Sequence, residues 1–396
     1  MSKQAKDSDQ RSVVGGQFVF LGWVIVALAI SGCRQHDFPQ YPPNYREYMY
    51  VTNGGSDTVT VLDVVNVRVD RELSVGRHPV AVAASPTRNE IYVVSSGAAN
   101  SPGSLSVIDA EHNAVVATIP LHMQPVSIDV DAKGERAYVP NYGSNSVSVI
   151  DLKQRREVAQ LGAGDEPVAA RLAPDDKSLV VANRRSGSAT VMDVATGRTR
   201  ATFGGCPGAG TPVILLDSSK AFVPCSGGHQ VMVIALAQAD AKPAQPGRLE
   251  TLMDVGKAPV HLALKPDGGE IFVSNSLSDS VSEIYDTTDE VGDTYMIGSH
   301  PVYGLVSPDN SLLYVANARS QEVTVYSIDD GKRVGAAHVG DGPVALALSA
   351  AGHLLFVADS RSGDVAVVRT ASESLFTLLP AGREPNAMVD KVFKVQ

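Results

Sequence analysis

Short apolar runs, each closed by a polar turn, recur along this chain at a nearly fixed pitch. The clearest run starts at Tyr50, Tyr92, Tyr138, Val180, Phe222, Phe272, Tyr314 and Phe356, and reads YVTN, YVVS, YVPN, VVAN, FVPC, FVSN, YVAN and FVAD. Successive starts lie 42, 46, 42, 42, 50, 42 and 42 residues apart. Each period has room for four short strands. An opening strand begins with Pro-Val, as at Pro79-Val80 and Pro301-Val302, and ends in a turn such as Lys265-Pro266-Asp267-Gly268. The apolar run follows, then a polar hairpin, then an alternating strand such as Val147-Ser148-Val149-Ile150-Asp151, then a less regular fourth strand. β-Branched residues between Gly, Asn, Asp and Pro punctuation are strand and turn signals, because Pro presets φ and Gly or Asn tolerates positive φ. A pitch of four strands predicts an all-β, closed β-propeller of four-stranded blades.

The corner prolines give the same count: Pro79, Pro125, Pro167, Pro212, Pro259, Pro301, Pro343 and Pro385. Proline suits the first residue of a strand, where its missing N–H breaks no ladder. The chain enters on a second strand at Tyr50 and leaves on a first strand from Pro385 to Asp390. The last strand is therefore expected to complete the first blade and close the ring, which leaves no open edge between the chain ends. Eight blades is the economical reading; seven blades plus an extra packed unit is the alternative.

The combination of Tyr-Val-x-Asn, a polar turn, a Val-x-Val-Ile-Asp strand and a Gly-x-x-Pro-Val corner resembles the YVTN family of β-propeller repeats, over about residues 48–390. The resemblance implies a bacterial or archaeal surface protein acting as a binding or scaffolding module. The related superfamily also holds sugar-lactone lactonases and the d-haem domain of a nitrite reductase, so the resemblance speaks strongly of fold and weakly of chemistry.

The N-terminus sets an expected address. Lys3, Lys6 and Arg11 precede an apolar stretch from Val13 to Ile30, which ends in Ile30-Ser31-Gly32-Cys33. A basic start, an apolar centre and small residues before a cut describe a secretory signal. The placement of Cys33 resembles a bacterial lipoprotein signal, which implies cleavage before Cys33 and lipidation of its thiol; an uncleaved membrane helix is the alternative. The expected organisation is a signal peptide over 1–32, a lipidated Cys33 with a Pro- and Tyr-rich tether over 33–47, and a propeller over 48–396. Arg34 rather than Asp after the cysteine leans toward the outer membrane, facing the periplasm or the cell surface, if the cell has one. The chain carries 33 basic and 43 acidic residues; losing three basic and two acidic residues with the leader leaves 30 against 41, a formal charge of −11. With no basic stripe or aromatic platform, nothing favours nucleic acid. A monomeric ring with an envelope protein or glycan as partner is expected.

Two cysteines remain beyond Cys33. Cys206 lies in the loop entering the corner at Pro212, and Cys225 replaces the signature Asn at the end of the next strand. Propeller topology brings both to one face, and export permits a disulfide. That face also gathers the loops before the corner prolines and the hairpins after the signature. The channel mouth is thus expected to carry Arg77, His78, Gln124, Asp165, Glu166, Lys257, His300, Asp341, Arg383 and Glu384, with His261 and Tyr303 just inside the channel. Convergent polar groups in a concavity are the default binding site. Arg184, Arg185, Arg319 and Arg361 add a rim that attracts anions or is merely solvated. The signature Asn residues read as turn caps.

No Cys-x-x-Cys-His, phosphate-loop, dinucleotide or Gly-x-Ser-x-Gly motif occurs. The leading expectation is a lipid-anchored, non-enzymatic binding or scaffold propeller with no resident cofactor. One alternative, implied by the lactonase relatives, is a hydrolase whose channel holds calcium or another divalent ion through Asp165, Glu166, Asp341 and Glu384. A further one is non-covalent tetrapyrrole or redox-cofactor binding with His78, His261 or His300 as axial ligand.

Overall fold

The computed structural model describes residues 39–236 and 247–395. Cys33 and the leader lie outside the described residues. Residues 39–43, the described part of a separate N-terminal unit, hold only a turn start. No helix among the described residues is long and apolar enough to cross a membrane.

Residues from Tyr45 onward build eight four-stranded antiparallel sheets. The first strand, Tyr45–Asn53, begins three residues earlier than the sequence reading placed the propeller, so residues 45–47 of the expected tether are ladder residues. Its partner is the last strand, Pro385–Lys394, with Tyr45 opposite Lys394 and Met49 opposite Asp390. The sheet formed by Arg68–Ser74, Thr58–Asp63, Tyr45–Asn53 and Pro385–Lys394 is blade 1, so the C-terminal strand closes the ring as expected. Blades 2 to 8 follow in chain order, each running from an inner strand to an outer one.

The apolar runs become strands because both of their faces are covered. In each blade the second strand lies between neighbouring blades, so strands such as Glu90–Ser95, Ser178–Asn183, Leu312–Asn317 and Leu354–Asp359 are buried along nearly their whole length. Tyr50, Tyr92, Phe222, Phe272 and Phe356 are the largest fully buried side chains. The core is a chain of interblade clusters, such as Val180 and Val191 of blade 4 against Val223 and Ile234 of blade 5. Burying one such Val or Ile contributes about 1.5–3 kcal/mol. The outer strands, for example Arg68–Ser74, alternate toward solvent.

The corner has one structure in every blade. Its entry residue takes a left-handed backbone: His78, Gln124, Glu166, Gly208, Ala258, His300, Gly342 and Glu384 all have φ between 51° and 71°. The carbonyl of this residue then accepts an N–H from the facing hairpin, as Ser96 N to His78 O at 2.9 Å and Ala318 N to His300 O at 3.0 Å. Blade 5 corrects the sequence reading. Ala209 pairs with Cys225 as Pro167 pairs with Asn183, so Ala209 is the fifth corner. Pro212 sits three residues further on, directly before the short inner strand Val213–Ile214.

The signature Asn residues are not turn caps. Asn53, Asn141, Asn183, Asn275 and Asn317 are fully buried. Each donates from Nδ2 to a hydroxyl on the next strand, for example Asn183 to Thr190 Oγ1 at 3.0 Å and Asn317 to Thr324 Oγ1 at 2.9 Å. The glycine three residues before the corner lies against this side chain. A Cβ on Gly298 would stand 2.5 Å from Asn317 Cγ, and one on Gly164 2.7 Å from Asn183 Cγ. In blade 5 the same two positions are Cys206 and Cys225, joined in a disulfide with Cα atoms 4.7 Å apart. A covalent bond there replaces the Gly–Asn contact.

Candidate functional site

At the mouth, the side chains of His78, Glu166 and Asp341 are held by neighbouring residues. The N–H of His78 donates to Asp57 Oδ1 at 2.9 Å and its Nδ1 lies 3.1 Å from Gly54 O. The backbone N–H of His300 donates to Asp279 Oδ1 at 2.8 Å, while its ring Nδ1 is buried without a partner. Glu166 accepts from Tyr142 Oη at 2.6 Å and pairs with Arg185 at 3.4 Å; that bond to Glu166 pushes the Tyr142 phenol up. Asp341 pairs with Arg361 at 2.7 Å, which holds its carboxyl below the usual range. Arg77, Gln124, Asp165, Lys257, Arg383 and Glu384 are exposed and spread over five corners. Asp165, Glu166, Asp341 and Glu384 are not brought together: no three His, Cys, Asp or Glu side chains among the described residues stand close enough to hold a metal ion. The channel carboxylate set expected for a divalent-ion hydrolase is therefore not assembled, because each corner is held to its own hairpin. His78 and His300 likewise stay apart.

Inside the channel the picture differs. Each inner strand has one edge without a sheet partner. Two residues past each corner, six blades carry Ala, Ser or Thr (Ala81, Ser127, Ala169, Thr211, Ala345 and Ala387). The other two carry His261 and Tyr303, on adjacent blades 6 and 7. Their rings stack with centroids 4.0 Å apart and planes 29° from parallel. The free edge explains the orientation: Gly304 N–H on the blade 7 inner strand donates to His261 Nδ1 at 3.2 Å. A backbone N–H can only donate, so Nδ1 is unprotonated and the ring's proton sits on Nε2. Burial, then the charge of Arg171, lowers the His261 pKa to about 4, so the ring is neutral at ordinary pH. Burial raises the Tyr303 phenol, against a lowering by Arg171. Among the described residues neither His261 Nε2 nor Tyr303 Oη meets a protein partner.

Four residues past the corners, apolar side chains again line most of the ring, and Asp129 and Arg171 on blades 3 and 4 break the pattern. Leu172 N–H donates to Asp129 Oδ2 at 2.7 Å, and Arg171 Nη1 donates to Ile128 O at 3.2 Å and lies 3.4 Å from Asp129 Oδ1. Burial raises the Asp129 carboxyl against the pull of Arg171 and the Leu172 N–H. Blades 3 and 4 stand three places from blades 6 and 7 around the ring. The sequence reading named His261 and Tyr303 but missed Asp129 and Arg171. Aligning positions past the corner would have shown them, as charges in otherwise apolar columns.

Two cavities, of about 430 and 240 Å³, open on the opposite face, between blades 5 and 6 and between blades 3 and 4. The larger lies between Leu216, Lys220 and Asp286, and contains no residue expected from the sequence.

Residues 211–375, which span blades 5 to 7 and most of blade 8, match the family model "Lactonase, 7-bladed beta-propeller". No curated protein matches the chain. Among solved structures, the chain is similar to the dihydro-heme d1 dehydrogenase NirN in complex with DHE, at 16% identity and a TM-score of 0.72, over 89% of this chain and 76% of that one. Apo AztD from Citrobacter koseri matches at 15% identity and a TM-score of 0.66, over 89% and 99%. A Bacteroides uniformis protein put forward as a 6-phosphogluconolactonase matches at 16% and 0.61, over 88% and 100%. At these identities the likeness is one of fold.

Proposed function

We propose that this chain is a binding propeller of the cell envelope, held there by a lipid on Cys33, and that it takes a small ligand in its channel beside His261 and Tyr303. The observation that carries the reading is the pair of unpartnered donors on the His261–Tyr303 stack. Mouth side chains such as Asp341, Glu166 and His78 are engaged by adjacent hairpins. The His261–Tyr303 stack leaves an N–H and an O–H without protein partners, on inner strands whose equivalent positions in the other blades are Ala, Ser or Thr. Two donors fixed by ring stacking and the Gly304 bond recognise an acceptor-bearing ligand.

Turnover is the weaker reading for the same geometry. With Nδ1 occupied by the Gly304 N–H, a neutral His261 has no site from which to take a proton, so it does not serve as a general base for water. The family match over 211–375 favours a lactonase-like activity as the second reading. The two separate in one experiment. Purified mature protein is incubated with aliphatic and sugar lactones at neutral pH, and acid release is followed beside equilibrium binding. Binding without acid release supports the proposal. Acid release that survives dialysis and is lost in His261→Ala overturns it in favour of catalysis. The envelope address is tested by metabolic labelling with a fatty-acid analogue, which Cys33→Ser should abolish.

A further inference from the structure

We infer that the notch of about 430 Å³ between blades 5 and 6 is a binding site of its own, separate from the channel, and that it takes a primary ammonium group on an aliphatic stem. The repeat shows what is unusual there. The residue just past each third strand donates its N–H to the carbonyl of the turn residue before the second strand, as Val194 N to Lys177 O, Leu236 N to Ser219 O and Asp286 N to Gly269 O. Six blades place Val, Ala, Leu or Ile at this position, and blade 8 places Thr370. Blade 6 places Asp286, which lines the notch although it is only 6% exposed. The turn caps are exchanged as well. In blades 4, 5 and 7 the turn's own aspartate accepts the N–H two residues on: Asp175 from Lys177 at 3.0 Å, Asp217 from Ser219 at 2.9 Å and Asp309 from Ser311 at 3.2 Å. In blade 6 Asp286 Oδ2 takes that N–H, from Gly269 at 2.9 Å. Asp267, the aspartate of this turn, is left without an N–H donor among the described residues, and its side chain is 57% exposed beside the notch. Gly268 stands where the smaller notch between blades 3 and 4 has Asp176. A Cβ on Gly269 would meet nothing within 4 Å, and one on Gly268 only Asp286 Oδ2 at 3.9 Å, so the wall beside the carboxylate is open.

Acceptors outnumber donors in the notch. Asp286 Oδ1 and both oxygens of Asp267 take no hydrogen bond from the described residues, and Lys265 Nζ stands 3.9 Å from Asp267 Oδ1. Asp217 spends Oδ1 on the N–H and the hydroxyl of Ser219, at 2.9 and 2.6 Å, and keeps Oδ2. Lys220 Nζ donates to Asp286 O at 2.9 Å and to Asp289 Oδ1 at 2.7 Å, so its charge is met by a carboxylate outside the notch and one N–H remains. The Thr287 hydroxyl can donate or accept. Three carboxylates against one paired lysine make the notch negative. An anion would meet that charge with one N–H and one hydroxyl to hold it. A metal ion lacks its ligand set, since no three His, Cys, Asp or Glu side chains among the described residues stand close enough. A primary ammonium brings three N–H donors and a charge to these acceptors. Leu215 and Leu216 form the apolar wall, and Leu216 is 58% exposed. An aliphatic stem lies along such a surface with its charged head on the carboxylates.

The test titrates n-butylammonium and its neutral counterpart n-butanol into the mature protein at neutral pH, with leucine methyl resonances for affinity and location. The expected result is a saturable shift at Leu215 and Leu216, with butylammonium bound at least ~10-fold more tightly than butanol; one charge-assisted contact is worth about that factor. Asp286→Asn keeps an acceptor for the Gly269 N–H, and Asp267→Asn touches no cap. Each should weaken butylammonium ~10-fold and leave butanol unchanged, with thermal melts confirming folding. If Asp286 serves only as the cap of Gly269, Asp267→Asn leaves the affinity intact and the inference falls. Equal binding of the two probes, or no shift at either leucine, also overturns it. Calcium displacing butylammonium at equal concentration would show an inorganic cation site and overturn the ammonium class. A lysine tripeptide blocked at both ends separates the sources. Binding at least as tight as butylammonium points to a lysine side chain of a partner, weaker binding to a free amine, and either supports the ammonium class.

Discussion

Replacing Asp359 by Asn isolates the clearest electrostatic exception in the repeat. Asp359 occupies the signature Asn position of blade 8, is fully buried, and accepts the Gly340 N–H at 2.9 Å through Oδ2. Its Oδ1 has no partner, and neither has Oδ1 of Asp364, the residue directly opposite on the next strand. Five other blades place an Asn amide against a Ser or Thr hydroxyl here. Burial first, then Asp364, raises the Asp359 pKa to about 8. An unfolded Asp titrates near 3.9, so between pH ~4 and ~8 the native state holds a proton that the unfolded chain has released. Stability therefore falls as pH rises through this window, by about 1.4 kcal/mol per pH unit. From pH ~5 to ~8 the loss is on the order of 4 kcal/mol. Asn supplies a permanent N–H toward Asp364 and removes this dependence. The assay is the urea midpoint from pH 5 to 8.5, converted with a common m-value. The difference between Asp359→Asn and wild type should grow steadily with pH, in favour of the variant. Asp390, raised to about 8 by burial and then by Glu47, leaves a residual slope in both proteins. A constant offset between the two curves would refute the reasoning.

Three further outcomes follow from the corner architecture. Cys206→Ala with Cys225→Ala should lose ~3 kcal/mol through the loop it no longer closes, read as a urea midpoint that no longer responds to reductant. Cys206→Gly with Cys225→Asn, which writes the other blades' contact into blade 5, should recover part of that loss, whereas equal stability of the two double variants would contradict the equivalence. Asn317→Ala should cost about 2–3 kcal/mol by removing a buried amide and its bond to Thr324, and Gly298→Ala should cost as much by collision. In the double variant these losses should fall short of their sum, since the missing amide makes room for the new methyl; full additivity in thermal melts would show that the two do not touch.

The ring, its blade count and its closure were legible in the sequence because they rest on a period. A 42-residue repeat with a β-branched run and a corner signals one supersecondary unit, and eight units leave no other way to bury every second strand. The position of the fifth corner was not legible. Proline was used as the marker, and blade 5 carries its proline three residues late, so only the ladder from Ala209 to Cys225 reveals the shift. The role of the signature Asn was misread for a related reason: Asn in a strand-end position favours turns by propensity, but here tertiary burial between two blades decides its rotamer and its partner. Which of the corner residues share a neighbour depends on hairpin contacts that spacing does not encode. His261 and Tyr303 were found because they follow corners. Arg171 and Asp129 were missed because a charge within an inner strand reads as surface until the columns are aligned.

The account's central claim is that a ligand sits in the channel against His261 and Tyr303. Native mass spectrometry of the mature protein, mixed with its own envelope extract and then desalted, tests it most directly. The claim predicts a small-molecule adduct on the wild type that is lost in His261→Ala and weakened in Tyr303→Phe. The same adduct on His261→Ala, or a wild-type protein that leaves the extract at its bare mass, would contradict it.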